Sequence, residues 1–299
     1  MNEFHCGFAA LIGRPNVGKS TLMNQMLGTK ISITSRKPQT TRQKILGIVT
    51  HDHYQTIFVD TPGIHKKTPH ALNTYMNKVA LQALRSVDVI IFMTENTRWT
   101  EEDEFVLQYL KKIKAPVIWV LNKIDQVKDK EELLPHIEKI SKEYEFVKVV
   151  PMCARRIKDV QRLLTNVQEY LPESPDLLYP AEQITDRQES FIMAEYIRES
   201  LLNALGDEVP HVLTTVVEKV ERKPKIIVIH AVIYVERESH KAIIIGKQGE
   251  RLRAVGQEAR IALEKYLGQK VFLELWVKVK EGWIDDKKAM SQLGYKDSE

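Results

Sequence analysis

Two cysteines in 299 residues, Cys6 and Cys153, are too few for a disulfide framework or a thiolate zinc site. A reducing, cytoplasmic compartment is the expectation that follows. No apolar run approaches the roughly 20 residues that span a bilayer, and the N-terminus lacks a basic segment followed by an apolar core. Export and membrane spanning are therefore not expected. Internal repeats and low-complexity tracts are also missing. The charge is nearly balanced, with 44 Lys and Arg against 40 Asp and Glu and a formal net charge of +4. What remains, 43% apolar and 28% charged residues, reads as a soluble globular chain. Its length suits two domains, each with its own core.

The chain is organised around Gly13-Arg14-Pro15-Asn16-Val17-Gly18-Lys19-Ser20, which follows the apolar run 8–12 and leads into residues 21–27. The spacing G-x-x-x-x-G-K-S reads as strand, phosphate-binding loop and helix. Gly13 and Gly18 let successive backbone N–H groups curl around phosphate oxygens at the positive end of the helix. Lys19 then neutralises the β and γ phosphates, and the Ser20 hydroxyl reaches the Mg²⁺ that bridges them. Eight such residues alone also fit an ordinary Gly-containing turn. The strand before them and the helix after them favour the phosphate loop.

Residues 29–42 are polar, carry Pro38 and show no sustained period, so they read as a loop. Strands over 44–50 and 54–59 suit a hairpin through His51-Asp52-His53, and Asp60-Thr61-Pro62-Gly63 ends the second. A loop through Pro69, a helix over 73–85 and an almost wholly apolar strand over 87–93 follow. Alternation is then regular: helix 101–112, strand 116–121, helix 130–145, strand 147–150, helix 160–171. This order predicts a mostly parallel sheet with helices on both faces. Pro172, Pro175 and Pro180 then mark a linker over 172–187. Beyond it come helix 188–205, strands 212–221 and 226–236, a Gly loop, helix 250–266, strand 270–280 and a short helix over 285–291. We expect an α/β domain at 1–171 and a smaller α+β module at 188–299.

A carboxylate at the end of a parallel strand, as Asp60 would be, reaches Mg²⁺ through water, and Gly63 can offer its N–H to a γ-phosphate. D-x-x-G alone equally marks a turn. Its position after the phosphate loop gives it weight, because strand-end motifs of a parallel sheet share one ligand-binding edge. Asn122-Lys123-Ile124-Asp125 then selects the base. Asp125 accepts two hydrogen bonds, and guanine offers two adjacent donors where adenine presents an acceptor. GTP is favoured over ATP by about 10⁴ or more, since buried polar groups would otherwise be left unpaired. After the last strand, Pro151-Met152-Cys153-Ala154 occupies the place of a further base-binding element.

Together these stretches resemble the P-loop GTPases over residues 7–171. That family usually has Ser-Ala in the last element, and Cys153 stands where the Ser would be. The resemblance implies a looser base loop in which the Ala154 N–H still meets the guanine oxygen. It implies that Thr41, in Gln39-Thr40-Thr41-Arg42, is the switch threonine that reaches Mg²⁺ when the γ-phosphate is present, with Thr40 the competing assignment. Ile64 follows Gly63 where Ras-like proteins carry the glutamine that orients water, which implies slow intrinsic hydrolysis. By the same resemblance Asn16 can hold a K⁺ ion in place of an arginine finger.

In the second module Gly246-Lys247-Gln248-Gly249 precedes a helix. Two glycines leave room for a sugar–phosphate backbone beside a helix N-terminus, with Lys247 between them. Residues 241–280 hold nine Lys or Arg against four Glu, which fits an anionic-ligand surface or a solvated helix face. With Lys241, Arg251, Arg253 and Arg260 nearby, the element order resembles a type II KH domain. A GTPase domain followed by such a domain resembles the Era family. Ile31-Ser32-Ile33-Thr34-Ser35-Arg36, Thr97-Arg98-Trp99-Thr100 and Leu273-Glu274-Leu275-Trp276-Val277-Lys278-Val279-Lys280 extend the likeness over nearly the whole chain. It implies GTP hydrolysis with Mg²⁺, binding of 16S rRNA near its 3′ end through residues 236–251, and a role in 30S assembly. It also implies peripheral association with the inner membrane, and the chain is expected to work as a monomer. Two alternatives stand beside this reading: a GTPase of tRNA modification or metal transport, and a ribosome-binding protein that never turns its nucleotide over.

Overall fold

The apolar runs of the first half become the strands of one sheet. In the computed structural model, which describes residues 4–35, 37, 39–51, 53–64, 70–206 and 209–296, the first eleven strands and α-helices alternate except for one pair of consecutive strands. Arg36, Pro38, Asp52 and Pro69 of the expected loops lie outside the described residues, as do the last three positions of the second module. The elements are β1 (His5–Ile12), α1 (Lys19–Leu27), β2 (Ile45–His51), β3 (Tyr54–Asp60), α2 (Ala71–Ala83), β4 (Val89–Glu95), α3 (Glu101–Leu110), β5 (Val117–Asn122), α4 (Leu133–Ser141), β6 (Lys148–Pro151) and α5 (Ile157–Gln168). Strand order is β2-β3-β1-β4-β5-β6, antiparallel only between β2 and β3. Every residue of β5 and all but the last of β4 are buried, as a sheet covered on both faces requires.

Local chemistry sets the boundaries. Thr100 and Asp103 exchange side-chain and backbone hydrogen bonds as a capping box, which starts α3. The helix expected over 130–145 is shorter: a 3₁₀ turn at Lys130–Glu132 precedes α4. Pro135 explains this, since proline is tolerated in a first turn and not in a helix interior. Of residues 172–187, expected as a linker, those up to Asp186 are strapped onto the first sheet. The Ile48 N–H donates to the Ile184 carbonyl (2.9 Å), the Leu46 N–H to Asp186 (3.1 Å) and the Gln55 amide to the Tyr179 carbonyl (2.8 Å). The segment therefore covers the β2 edge that would otherwise present unpaired backbone groups.

The contacts divide the chain into two units. The first comprises Met1–Ser32, Thr41–Pro69 and Asn73–Asp186, and the second comprises Ile33–Thr40, His70–Leu72 and Arg187–Glu299. The second unit holds α6 (Glu189–Ala204), β7 (Leu213–Arg222), β8 (Ile227–Val235), α7 (Glu238–Ile245), α8 (Glu250–Leu267), β9 (Val271–Val279) and α9 (Lys287–Gln292). Its sheet runs β7-β8-β9, with β7 antiparallel and β9 parallel to β8. Helix α7 stands where only a Gly loop is expected. Its run Ile243-Ile244-Ile245 is β-branched and stops at Gly246, so eight residues show too little period to read as a helix.

Candidate functional site

The phosphate-loop residues lie between β1 and α1. Gly18 caps α1 at φ 109°, and a Cβ there would run into the Asn122 amide. That close approach lets Asn122 Nδ2 donate to the Val17 carbonyl (2.7 Å), while its Oδ1 accepts the Ala154 N–H (2.9 Å). Asn122 thus joins the phosphate loop to the base loop. Val17 is wholly buried and anchors the loop from below. Lys19 Nζ donates to the Gly13 and Arg14 carbonyls, each at 3.0 Å. Burial, opposed by the Asp60 charge, pushes its pKa down to about 8.

Three oxygens expected at a metal meet beside this loop. Ser20 Oγ lies 2.8 Å from Thr41 Oγ1 and donates to Asp60 Oδ2 at 3.0 Å, with Thr41 Oγ1 at 3.4 Å from the same atom. Ser32 Oγ also donates to Asp60 Oδ2, at 2.9 Å. Asp60 Oδ1 is buried and has no hydrogen-bond partner among the described residues. Burial, opposed by Lys19 and these hydroxyls, raises the Asp60 pKa. A buried carboxylate with one unsatisfied oxygen, flanked by the Ser20, Thr41 and Ser32 hydroxyls, is a hard-donor set that fits Mg²⁺. The Thr40 hydroxyl donates to the Lys37 carbonyl (2.7 Å).

The rest of the Asp60 turn is placed structurally. Thr61 Oγ1 donates to the Leu11 carbonyl (2.7 Å), and Pro62 is buried. Gly63 passes so near the loop that a Cβ would stand 2.7 Å from the Pro15 nitrogen. Ile64 is wholly buried in the core cluster with Ile12, Phe92 and Trp119, so its side chain is not presented to solvent.

On the base side, Lys123 is left-handed (φ 61°) and Asp125 is exposed on the 3₁₀ turn Ile124–Gln126. Lys123 Nζ donates to the Asn16 carbonyl (2.8 Å) and to Glu95 Oε1 (3.0 Å). Asn16 itself is exposed. The Cys153 N–H donates to Asp159 Oδ2 (2.9 Å), and burial, then nearby Asp125, push the Cys153 thiol pKa up. Arg14 binds Glu95 Oε2 through Nη2 (2.9 Å) and Asp103 Oδ2 through Nε (3.1 Å). Ser32, Glu95 and Asp103 carry no role in the sequence reading. Only Asp103 leaves a signal, in the Thr100-x-x-Asp103 capping pattern.

In the second unit Gly246 turns at φ 73°, and a Cβ there would meet Arg251 Cβ at 2.8 Å. Lys247 and Gln248 are exposed at the tip of the loop, and Gly249 caps α8. Arg251 folds its guanidinium back onto the Ile243 carbonyl, and Lys241 pairs with Glu238 at 3.7 Å. Arg253 lines a groove of about 460 Å³ with Leu252, Gly256, Phe272, Leu273 and Leu275. The groove runs from the Gly loop between α8 and β9, and periodicity gave no hint of it. Among the described residues no helix is long and apolar enough to cross a membrane, and no cluster of three or more His, Cys, Asp or Glu could hold a metal.

The family profile described as 50S ribosome-binding GTPase matches residues 8–123, and a KH-domain profile matches 208–284. The GTPase Era of Coxiella burnetii (strain Dugway 5J108-111) is 51% identical over 297 residues, covering 99% of this chain and 100% of that one. A crystal structure of Era in complex with MgGDPNP and nucleotides 1506–1542 of 16S ribosomal RNA is 39% identical, with TM-score 0.92, over 98% of this chain and 99% of that one. A crystal structure of an Aquifex aeolicus Era point variant bound to GDP·AlF4⁻ is similar to the same extent.

Proposed function

Because the chain belongs to the Era family of GTPases, we propose that GTP binds along the strand-end edge of the first unit and RNA along the Gly-loop groove of the second. The observation that carries the first half is the meeting of Ser20, Thr41 and Asp60 oxygens beside Lys19. Gly13, Arg14, Pro15, Asn16, Val17 and Gly18 wrap the phosphates, every one but Pro15 offering a backbone N–H, and Lys19 neutralises them. Mg²⁺, held by Ser20, Asp60 and Thr41, supplies charge neutralisation at the β and γ phosphates. Gly63 offers its N–H to the γ-phosphate. Asp125 accepts from the guanine donors, and Ala154 turns its N–H from Asn122 to the guanine oxygen. With Ile64 held in the core, its position supplies no side chain to orient water, so turnover is slow. Asn16, exposed on the loop, would hold any K⁺ that takes the place of an arginine finger.

The RNA is 16S rRNA near its 3′ end, as in the relative crystallised with nucleotides 1506–1542. Lys247, Arg251 and Arg253 neutralise its phosphates, and Gly246 and Gly249 admit its backbone. A role in 30S assembly by a cytoplasmic monomer that touches the inner membrane peripherally completes the reading. The functional domains run over 1–171 and 188–299, with 172–187 between them. Phosphate release by the full chain tests both halves, with GTP or ATP and with or without an RNA of the 16S 3′-end sequence. GTP alone should be hydrolysed, and the RNA should change the rate. Equal use of ATP would overturn the base assignment, and indifference to this RNA relative to a scrambled one would overturn the partner.

A further inference from the structure

Glu95 is the last residue of β4 and pairs with Asn122 in the β4–β5 register. It belongs to none of the nucleotide motifs. Its two carboxylate oxygens are divided between two of them: Oε2 accepts from Arg14 Nη2 at 2.9 Å, and Oε1 from Lys123 Nζ at 3.0 Å. Lys123 Nζ also donates to the Asn16 carbonyl at 2.8 Å. A closed ring results, running from the phosphate loop through Glu95 to the base motif and back. Arg14 is tied further to Asp103, itself fixed by the capping box of α3.

Three non-glycine residues around this ring are left-handed: Asn16 at φ 65°, Asn96 at 42° and Lys123 at 61°. Asparagine adopts this region readily, whereas for a lysine it is uncommon and needs the surroundings to hold it. Asn96 is pinned by its N–H to the Asn122 carbonyl (2.8 Å). Lys123 is pinned by the two bonds at its ammonium. The side chains of Arg14, Glu95 and Lys123 are 9%, 17% and 28% exposed, so solvent screens these charge-assisted bonds less than it would a surface pair.

We propose that Glu95 is a positioning residue for guanine recognition, holding Lys123 and the Asn122–Asp125 turn in register with the phosphate loop. It acts through Lys123 and Arg14, and the proposal rests on the reading of Asp125 as the base-selecting carboxylate. Base selectivity then depends on a residue outside the base motif. A glutamine of nearly the same volume keeps one oxygen for Lys123 and loses the ion pair with Arg14, so it retains part of the effect.

Dissociation constants of GDP and inosine diphosphate on the full chain test this, together with thermal midpoints, for the parent, Glu95→Ala and Glu95→Gln. Inosine diphosphate lacks the exocyclic amine that Asp125 would accept from. The parent should prefer GDP, Glu95→Ala should lose about tenfold of that preference, and Glu95→Gln should recover part of it. A role confined to stability would lower the thermal midpoint and leave the ratio of the two constants at the parent value, which overturns the proposal. Should Glu95→Ala not fold, Glu95→Gln still reads the ratio. A parent indifferent to the two nucleotides overturns the base-site reading and this proposal with it. A selective parent whose ratio survives in the variants removes Glu95 alone.

Discussion

Ser20 and Thr41 bring their hydroxyl oxygens to 2.8 Å of each other, and both lie within hydrogen-bond reach of Asp60 Oδ2. Thr40, one position earlier, spends its hydroxyl on the Lys37 carbonyl. Thr41→Ala should therefore slow GTP hydrolysis by about 10²-fold, the usual loss when one charge-stabilising group is removed, with GDP affinity close to the parent. Thr40→Ala should hydrolyse at nearly the parent rate. Single-turnover rates separate them, and the opposite ranking would assign the switch role to Thr40.

The Lys19 pKa of about 8 makes nucleotide affinity depend on pH. The folded value lies below the ordinary one, so the ammonium is present below pH 8 and becomes an amine above it. Phosphates bind the ammonium, so binding above pH 8 requires proton uptake and weakens as pH rises. Between pH 7.5 and 9 the affinity for GDP should fall roughly eightfold. Lys19→Arg stays charged throughout and shares only the titration of guanine itself. Parallel pH curves for parent and variant would remove the Lys19 assignment.

Ile64 is wholly buried among core side chains of the first unit. Ile64→Ala should cost about 2–5 kcal/mol of stability in urea unfolding, the range for truncating a buried aliphatic residue. Below the transition its GDP affinity should match the parent. A large loss of affinity without loss of stability would show that Ile64 contacts nucleotide.

Replacing Lys247 and Gln248 together by Asp reverses charge at the exposed tip of the Gly loop and leaves Gly246 and Gly249 to shape the turn. Affinity for single-stranded 16S 3′-end RNA should collapse, while the thermal midpoint and GTP binding stay near the parent. Neutralising a single phosphate contact should flatten the slope of log K against log salt by about 0.7. Undiminished binding by the folded double variant would leave the loop as a solvated turn.

The motifs were legible because backbone geometry fixes them. Gly18 must lack a Cβ where Asn122 approaches, and Asp60 and Asn122 must end strands that share one sheet edge, so spacing and order carry the information. Ser32 and Glu95 were not legible. Each reaches the site by tertiary folding alone, Ser32 from a loop and Glu95 from a strand end, with no spacing rule to mark it. Helix α7 was hidden by its three isoleucines, and the start of α4 became clear once Pro135 had to sit in a first turn. The proline-rich segment 172–187 read as a linker, and composition does not reveal that its carbonyls accept from Ile48 and Gln55.

The claim that Ser20, Thr41 and Asp60 form the Mg²⁺ end of a GTP site is tested most directly by the Mg²⁺ dependence of hydrolysis in the parent and in Asp60→Asn. Asp60 Oδ1 is buried with no partner among the described residues, and an amide in its place removes the charge a divalent ion would meet. The Mg²⁺ concentration for half-maximal GTP hydrolysis should rise at least about tenfold in Asp60→Asn, with metal-free GDP affinity near the parent. The same Mg²⁺ midpoint in both proteins, with the variant folded, would contradict the account.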